Sequence, residues 1–359
     1  DGTVNKSNIM KINFTIITLI LFLIHNLSLS QCPPSNLYIT SQASLDEFKL
    51  NYPNCEEIAG DLSVLATDIT NLVGLDNIKS VKGTFFVTGS SMLKNFEGLS
   101  KLERIGDAVR IQSNEGLTSY EGLNNLKVVA GEYCYLEGSP LIKNLNGLNK
   151  LDSVMGIFQV WGMDEMTSLE GLESLKYVAN DFAIFRNNNL KNLSGLGGLL
   201  QVDGSMRVYE NNTINSLQGL NNEALLTSSL VVNFNPLLTT CAVEAICNYL
   251  IAPPSFFVFS DNAIGCNNEN EVKQACLSST STSGFDDKIM VSSNPGDGNI
   301  EIIGSERIGA ISVYDLFGKK ISSAEAKNVI NISNYPSGIY IIHLQIDSQN
   351  KSFKYLKVN

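Results

Sequence analysis

The feature that most constrains this chain is a phrase of an apolar residue, any residue, Gly and Leu, present in seven copies. A fixed period of 20 to 50 residues is typical of stacked-repeat folds. Since about 24 residues leave no room for a long helix, we predict that each repeat forms one coil of a parallel β-solenoid. The glycines, separated by 24, 24, 25, 24, 24 and 24 residues, are Gly74, Gly98, Gly122, Gly147, Gly171, Gly195 and Gly219.

Positions counted from each glycine predict which side chains fill the interior. Apolar residues recur four, seven and nineteen positions on, as at Ile78, Val81 and Leu93, and the nineteenth position of the third repeat is Leu141. A period-two pair at positions 11 and 13 predicts a short strand with one face inward. These pairs are Phe85/Val87, Val109/Ile111, Tyr133/Tyr135, Phe158/Val160, Phe182/Ile184, Met206/Val208 and Leu230/Val232.

Two recurring residues, Gly and Asn, predict how the corners of the coils are built. The repeated glycine suits a corner with positive φ, where a Cβ would clash. Asn recurs at position 16, at Asn114, Asn187, Asn211 and Asn235. Because Asn tolerates left-handed turns and its amide can bond backbone groups, we expect these side chains to link one coil to the next.

The net charge limits the expected binding partners, and the histidine content limits the expected catalytic chemistry. The formal net charge is −11, and the excess acid lies in residues 31–285, whereas residues 286–359 are balanced. This charge disfavours nucleic acid and anionic membrane surfaces as partners. The two histidines, His25 and His343, lie outside the repeats, so no His-dependent catalytic triad is expected there. No cofactor or metal site is predicted.

The amino terminus predicts export. Residues 1–30 comprise upstream residues and a secretory signal that starts at Met10, with an apolar run over 16–24 and a cleavage site near Ser30. A membrane anchor is the weaker alternative because the run is too short to span a bilayer. A lipoprotein cut before Cys32 is disfavoured because Gln31 replaces the small residue expected there. An exported chain can form disulfides.

Short helices are expected to close both ends of the solenoid. A capping box over 44–47 starts a helix with Leu45, Phe48 and Tyr52 on one face, and Cys32 and Cys55 flank it and are predicted to pair. A degenerate coil over 58–64 follows this helix.

After Leu238 the register stops, and the sequence predicts helices over 243–250 and from a second capping box at 268–271 to Cys276. Four cysteines here allow three pairings, of which we favour Cys241–Cys266 and Cys247–Cys276, with a four-Cys zinc site as the alternative. Cys134 is left over, and a small apolar filler is favoured over a reactive thiol.

The run from Cys55 through Ile58, Gly60 and Leu62, followed by the Gly-Leu coils, resembles the receptor L-domain family, a relative of leucine-rich repeats. The resemblance covers residues 32–276 and is closest to the versions in secreted bacterial and protist proteins. It implies a right-handed parallel β-helix that serves binding, with no known enzymatic chemistry. The missing helical segment favours a straight rod over a horseshoe.

The chain ends in a different module. Residues 277–285 are a Ser/Thr-rich linker, and 286–359 show short alternating strands typical of a small β-sandwich. Three phrases stand at 294–298, 313–319 and 335–340, and Lys351, Lys354 and Lys357 follow them. Together they resemble the type IX secretion sorting domain of Bacteroidota, which implies transport by the type IX machinery across the outer membrane, then release or surface attachment. An ordinary fibronectin-like spacer is the alternative. The candidate sorting residues are Asn294, Pro295, Gly298, Asp315, Gly318, Gly338, Tyr340 and Lys357.

The candidate binding site is an outward stripe on the strands. Trp161, Phe185 and Tyr209 occupy position 14 of successive coils, an array that suits sugar rings or a protein partner. Position 14 of the third repeat is Leu136, which is also predicted to point outward. The alternatives are a purely structural ladder and a patch that the carboxyl-terminal module covers. The polar candidates beside the stripe are Gln159, Arg186 and Arg207.

Together these features predict a mainly β protein, a solenoid over 31–276 and a sorting β-sandwich over 286–359. The expected function is that of an exported, non-enzymatic binding protein, secreted or at the cell surface, whose solenoid face binds a glycan or a protein. A polysaccharide-degrading β-helix enzyme and an architectural surface spacer are the alternatives. Carboxylates do not recur as a cluster on one face of the repeats, so the sequence gives no support to the enzyme.

Overall fold

The structure is a computed structural model that describes residues 32–251, 253–279, 290–291, 296–303, 308–315, 319–325, 327–346 and 349–357. The predicted signal peptide lies outside the described residues, as does the linker from residue 280 onward. Among the described residues, no helix combines the length and the apolar character needed to cross a membrane.

The main body is a parallel β-solenoid of about nine turns, as the period predicts. One strand of each coil hydrogen-bonds, in parallel, to the equivalent strand of the next coil. The register does not shift: Phe158 pairs with Phe182, and Phe182 pairs with Met206. These strands form one ten-stranded sheet. In spatial order its strands are β1 (Leu37–Ile39), β3 (Leu62–Val64), β5 (Phe85–Thr88), β7 (Val109–Gln112), β9 (Tyr133–Glu137), β11 (Ile157–Trp161), β13 (Phe182–Phe185), β15 (Met206–Tyr209), β17 (Leu230–Asn233) and β18 (Phe257–Ser260).

A second parallel sheet of eight two-residue strands lies on another side of the coils. Its inward residue is the apolar residue seven positions after the repeated glycine, such as Val154 or Val178, and it is fully buried. Its strands are β2 (Glu57–Ile58), β4 (Ser80–Val81), β6 (Arg104–Ile105), β8 (Val128–Val129), β10 (Ser153–Val154), β12 (Tyr177–Val178), β14 (Gln201–Val202) and β16 (Leu225–Leu226).

The Gly-Leu phrase forms the third side and is held to the next coil by the backbone. The N–H of Leu145 donates to the carbonyl of Glu170 at 2.6 Å, and the N–H of Leu169 donates to the carbonyl of Ser194 at 2.9 Å. Gly171 has φ +106°, and a Cβ there would lie 2.1 Å from the carbonyl oxygen of Leu145. The prediction of a corner that requires glycine is therefore confirmed.

One coil departs from the predicted alternation. The extra residue of the 25-residue repeat lies before β9, so Cys134 and Leu136 point inward and Tyr133 and Tyr135 point outward. The predicted orientations of Tyr133, Tyr135 and Leu136 are therefore wrong. A shift of one residue before a strand exchanges its two faces. The same extra residue leaves Leu141 43% exposed, and the adjacent Ile142 fills the buried slot instead.

Helix α1 (Gln42–Asn51) closes the first coil and buries Leu45 and Phe48. Its capping box joins Ser41 and Ser44, so the helix begins one turn earlier than predicted. The side-chain oxygen of Ser41 accepts the N–H of Ser44 at 3.1 Å. The predicted disulfide Cys32–Cys55 lies beside this cap.

Helices α2 (Glu244–Ile251) and α3 (Glu269–Ser279) close the other end, with β18 between them. The predicted disulfides Cys241–Cys266 and Cys247–Cys276 are both present, and they occupy the four thiols of the alternative zinc site. The second predicted capping box forms in part: the N–H of Glu271 donates to the side-chain oxygen of Asn268 at 3.0 Å, while the Glu271 carboxylate accepts the N–H groups of Gly265 and Asn267.

The carboxyl-terminal region forms two antiparallel sheets that share a small core including Ile300, Ile311, Ile342 and Tyr355. This arrangement agrees with the predicted sandwich. One sheet contains β19 (Met290–Val291), β20 (Asn299–Ile303) and β23 (Val329–Asn331). The other contains β22 (Lys320–Glu325), β21 (Ile308–Asp315), β24 (Gly338–Ile346) and β25 (Gln349–Lys357).

Candidate functional site

The predicted aromatic stripe forms on the outward face of the ten-stranded sheet. Trp161, Phe185 and Tyr209 end β11, β13 and β15, and the parallel register places them side by side. Ring centroids are 5.2 Å apart between Trp161 and Phe185 and 4.6 Å apart between Phe185 and Tyr209, with interplanar angles of 9° and 6°. All three side chains are half-buried. We call these three residues the aromatic ladder.

Stacking limits what the aromatic ladder can present to a partner. Both faces of the Phe185 ring are covered by its two neighbours, so this ring offers its edge to solvent. Only the outer faces of Trp161 and Tyr209 are left without a ring of the ladder. The indole N–H and the phenol O–H add two hydrogen-bonding groups. Partial burial, and then the nearby Glu210 carboxylate, raise the pKa of Tyr209, which keeps the phenol protonated at neutral pH.

Ion pairs between coils flank the aromatic ladder. The Arg186 guanidinium lies 2.5 Å from the Glu210 carboxylate, and the Arg207 guanidinium lies 2.9 Å from the Asp181 carboxylate. Hydrogen bonding to Glu210 raises the pKa of Arg186 further above neutrality. Gln159 lies on the same outward face, two coils from Arg207. The structure therefore brings the predicted residues onto one surface, with both arginines already paired.

Sequence analysis missed a cleft beside the aromatic ladder. The cleft has a volume of about 480 Å³, and its lining includes Arg186, Glu210, Phe234 and Asp261. Asn188, Asn212 and Pro236 also line it. We call this the edge cleft. It begins one residue beyond the aromatic ladder, because Arg186 follows Phe185 and Glu210 follows Tyr209.

The edge cleft is built on residues with a left-handed backbone. In eight successive coils the first residue after the strand has positive φ, and at Phe234 the value is 53°. A bulky residue in this region is uncommon and strained by about 1–3 kcal/mol. Three coils use glycine here, whereas the last four carry large or charged side chains that line the edge cleft. The eight residues are Gly89, Ser113, Gly138, Gly162, Arg186, Glu210, Phe234 and Asp261.

A chain of hydrogen-bonded side-chain amides contributes to the lining of the edge cleft. The Asn212 amide donates to the side-chain oxygen of Asn188 at 2.7 Å, and the Asn188 amide donates to the Asp164 carboxylate at 3.1 Å. The next coil has Pro236 at this position, and proline has neither a polar side chain nor an N–H. The chain of amides therefore ends at Asn212.

The candidate sorting residues are placed only in part. Asn294, Pro295 and Gly318 lie outside the described residues. The N–H of Gly298 donates to the Tyr355 hydroxyl at 2.9 Å, and Lys357 is 5% exposed at the end of β25.

Two further sorting candidates hold local structure. The Asp315 carboxylate accepts the N–H of Lys319 at 2.9 Å, which links the end of β21 to the residue before β22. The Tyr340 hydroxyl donates to the carbonyl of Pro336 at 2.6 Å, two residues before β24, which starts at Gly338.

Acidic, histidine and cysteine side chains do not gather into a metal-binding group of three or more anywhere in the described part of the chain.

The comparison with protein families identifies one region of the chain. Residues 293–358 match the secretion system C-terminal sorting domain, which agrees with the type IX resemblance found in the sequence. No curated protein matches the chain. The matched region does not include the solenoid, so the resemblance to the receptor L-domain family stays a prediction. The chain carries a type IX sorting domain at its carboxyl end, which indicates export to the outer membrane or cell surface and interaction with the type IX secretion machinery.

Proposed function

We propose that this protein is an exported, non-enzymatic binding protein, released or held at the cell surface. Its solenoid presents the outward face of the ten-stranded sheet to a glycan or a protein. The contact surface centres on the aromatic ladder and includes Gln159, Arg186 and Arg207.

The observation that carries the proposal is the half-buried aromatic ladder itself. Three large rings on adjoining strands present their edges on a rigid, parallel sheet, next to two guanidinium groups. Aromatic and arginine side chains dominate the binding energy of most protein interfaces. A rigid scaffold also lowers the ordering cost of binding, because these side chains are already fixed by stacking.

A surface spacer is the second candidate, and the same stacking supports it. Ring faces and both arginines are used within the chain, as expected of side chains that only hold the coils together. The two functions differ in what a truncation of the ladder changes. Loss of a structural ladder lowers stability alone, whereas loss of a binding ladder lowers affinity at temperatures where the fold is intact.

The test measures binding of the full chain to a glycan array and to proteins of the producing cell's surface. Trp161→Ala is compared with Phe86→Ala, which removes a half-buried aromatic from the same outward face three coils away. We expect at least about a tenfold loss of affinity for Trp161→Ala and no loss for Phe86→Ala. Equal binding by both variants would favour the spacer. Unsaturated sugar products released from polysaccharides would favour the lyase-type enzyme instead.

A further inference from the structure

The edge cleft has the size of a small-molecule site. Its volume of about 480 Å³ falls within the range of about 300–1,000 Å³ that is usual for such sites. An aromatic ring, two amides, two carboxylates and one guanidinium converge on it. Phe234 and Pro236 are the two apolar residues of the lining, so the cleft offers one aromatic ring among several hydrogen-bonding groups.

Phe234 differs from the rings of the aromatic ladder because it is more exposed to solvent. Its side chain is 51% exposed, and it stacks with no other aromatic ring among the described residues. The chain keeps this ring at a left-handed position that glycine fills in three other coils. Strain retained at an exposed ring, where nothing in the fold needs the ring, points to a role in binding.

Two residues of the edge cleft have side-chain oxygens that accept no hydrogen bond from a described residue. Asn212 uses its amide N–H on Asn188, and no described residue donates to its side-chain oxygen. The Asp261 carboxylate likewise has no hydrogen-bond partner among the described residues. A sugar hydroxyl can donate to such an oxygen and accept from a guanidinium such as that of Arg186.

The charge of the edge cleft favours neutral sugars over anionic ones. One guanidinium faces two carboxylates, and this guanidinium is already bound by Glu210. An anionic ligand would meet the unpaired Asp261 carboxylate, which repels it. Neutral hydroxyl groups meet no such penalty.

We infer that the edge cleft binds a neutral saccharide, with the Phe234 ring against the apolar face of the sugar and with Asn212 and Asp261 accepting hydrogen bonds from its hydroxyls. This inference rests on the proposed binding function and names a ligand class for a site next to the aromatic ladder.

The test uses the full chain on an array of neutral and acidic oligosaccharides. Phe234→Gly removes the ring at a position where glycine is the less strained residue, so the fold is kept. Ser113→Gly is the matched control, since Ser113 has φ 52° at the same position of a distant coil. Asp261→Asn removes one charge and keeps a residue that tolerates left-handed φ.

We expect the wild-type chain to bind neutral glycans, and Phe234→Gly and Asp261→Asn each to lose at least about tenfold in affinity. Ser113→Gly should bind as the wild type does, and the melting temperature of Phe234→Gly should not fall. Unchanged neutral-glycan binding in Phe234→Gly, or binding of acidic glycans alone, would overturn the inference. If Trp161→Ala abolishes partner binding and Phe234→Gly does not, the proposed function stands and the saccharide site is refuted.

Discussion

Asn187 and Asn211 occupy the same position of successive coils, and the side-chain oxygen of Asn211 accepts the backbone N–H of Asn187 at 3.1 Å. The Asn211 amide in turn donates to the carbonyl of Ile184 at 3.0 Å. Asn235 and Asn262 repeat the arrangement in the next two coils. The predicted coil-to-coil role of these side chains is therefore confirmed. The left-handed backbone conformation is adopted by the residue before each Asn and not by the Asn itself.

Asn211→Ala should destabilise the solenoid by about 1–3 kcal/mol, because it leaves a buried N–H and a buried carbonyl without partners. Thermal unfolding followed by circular dichroism measures the loss. Asn180→Ala, at an exposed asparagine, is the control and should stay within about 0.5 kcal/mol of the wild type. Equal midpoints for the two variants would contradict the role of the asparagine column.

Gly171→Val should lower the free energy of unfolding by at least about 2 kcal/mol. The substitution adds a branched side chain at φ +106° and places a Cβ against the backbone of the preceding coil. Glu170→Ala, at the exposed neighbouring residue, should change stability by less than about 0.5 kcal/mol. Urea denaturation of both variants gives the comparison, and a milder effect at Gly171 than at Glu170 would be inconsistent with the corner described above.

Cys134 should be unreactive in the folded protein. It is the one free cysteine of seven, its side chain is buried, and burial raises the pKa of its thiol. Because the thiolate is the reactive form, iodoacetamide should add nothing to the native chain and one adduct after denaturation without reductant. Intact-mass measurement counts the adducts. Two or more adducts in denaturant would mean that one of the three disulfides is not formed.

The sequence predicts the coil stack because apolar residues recur at fixed positions, and stacking buries them as one continuous column. It fails at Tyr133 and Tyr135 for a physical reason. A period counted from Gly122 to Gly147 shows that one residue is added, but it does not show whether the addition lies before or after the strand. In the structure it lies before the strand, and the alternation is reversed.

The candidate site was predictable where it depends on strand register alone. Trp161, Phe185 and Tyr209 share a position, so parallel pairing brings them together. The edge cleft depends instead on a backbone that turns left-handed after each strand. Arg186, Glu210 and Phe234 give no sign of this conformation, since such residues rarely adopt it. The glycines at positions 89, 138 and 162 were the available signal, because they occupy the same position in other coils.

Glu271 should make stability depend on pH at the carboxyl-terminal cap. Its carboxylate accepts the N–H groups of Asn267 and Gly265, and these hydrogen bonds lower its pKa below 4.5. A lowered folded-state pKa gives stability that is present above the unfolded value and lost as pH falls through the folded value. Glu271→Gln should therefore reduce the melting temperature at pH 7, and the deficit should shrink as the pH falls below the ordinary pKa of a glutamate. Glu115→Gln, at an exposed corner, serves as the control, and a Glu271→Gln deficit that stays constant or grows in acid would refute the assignment.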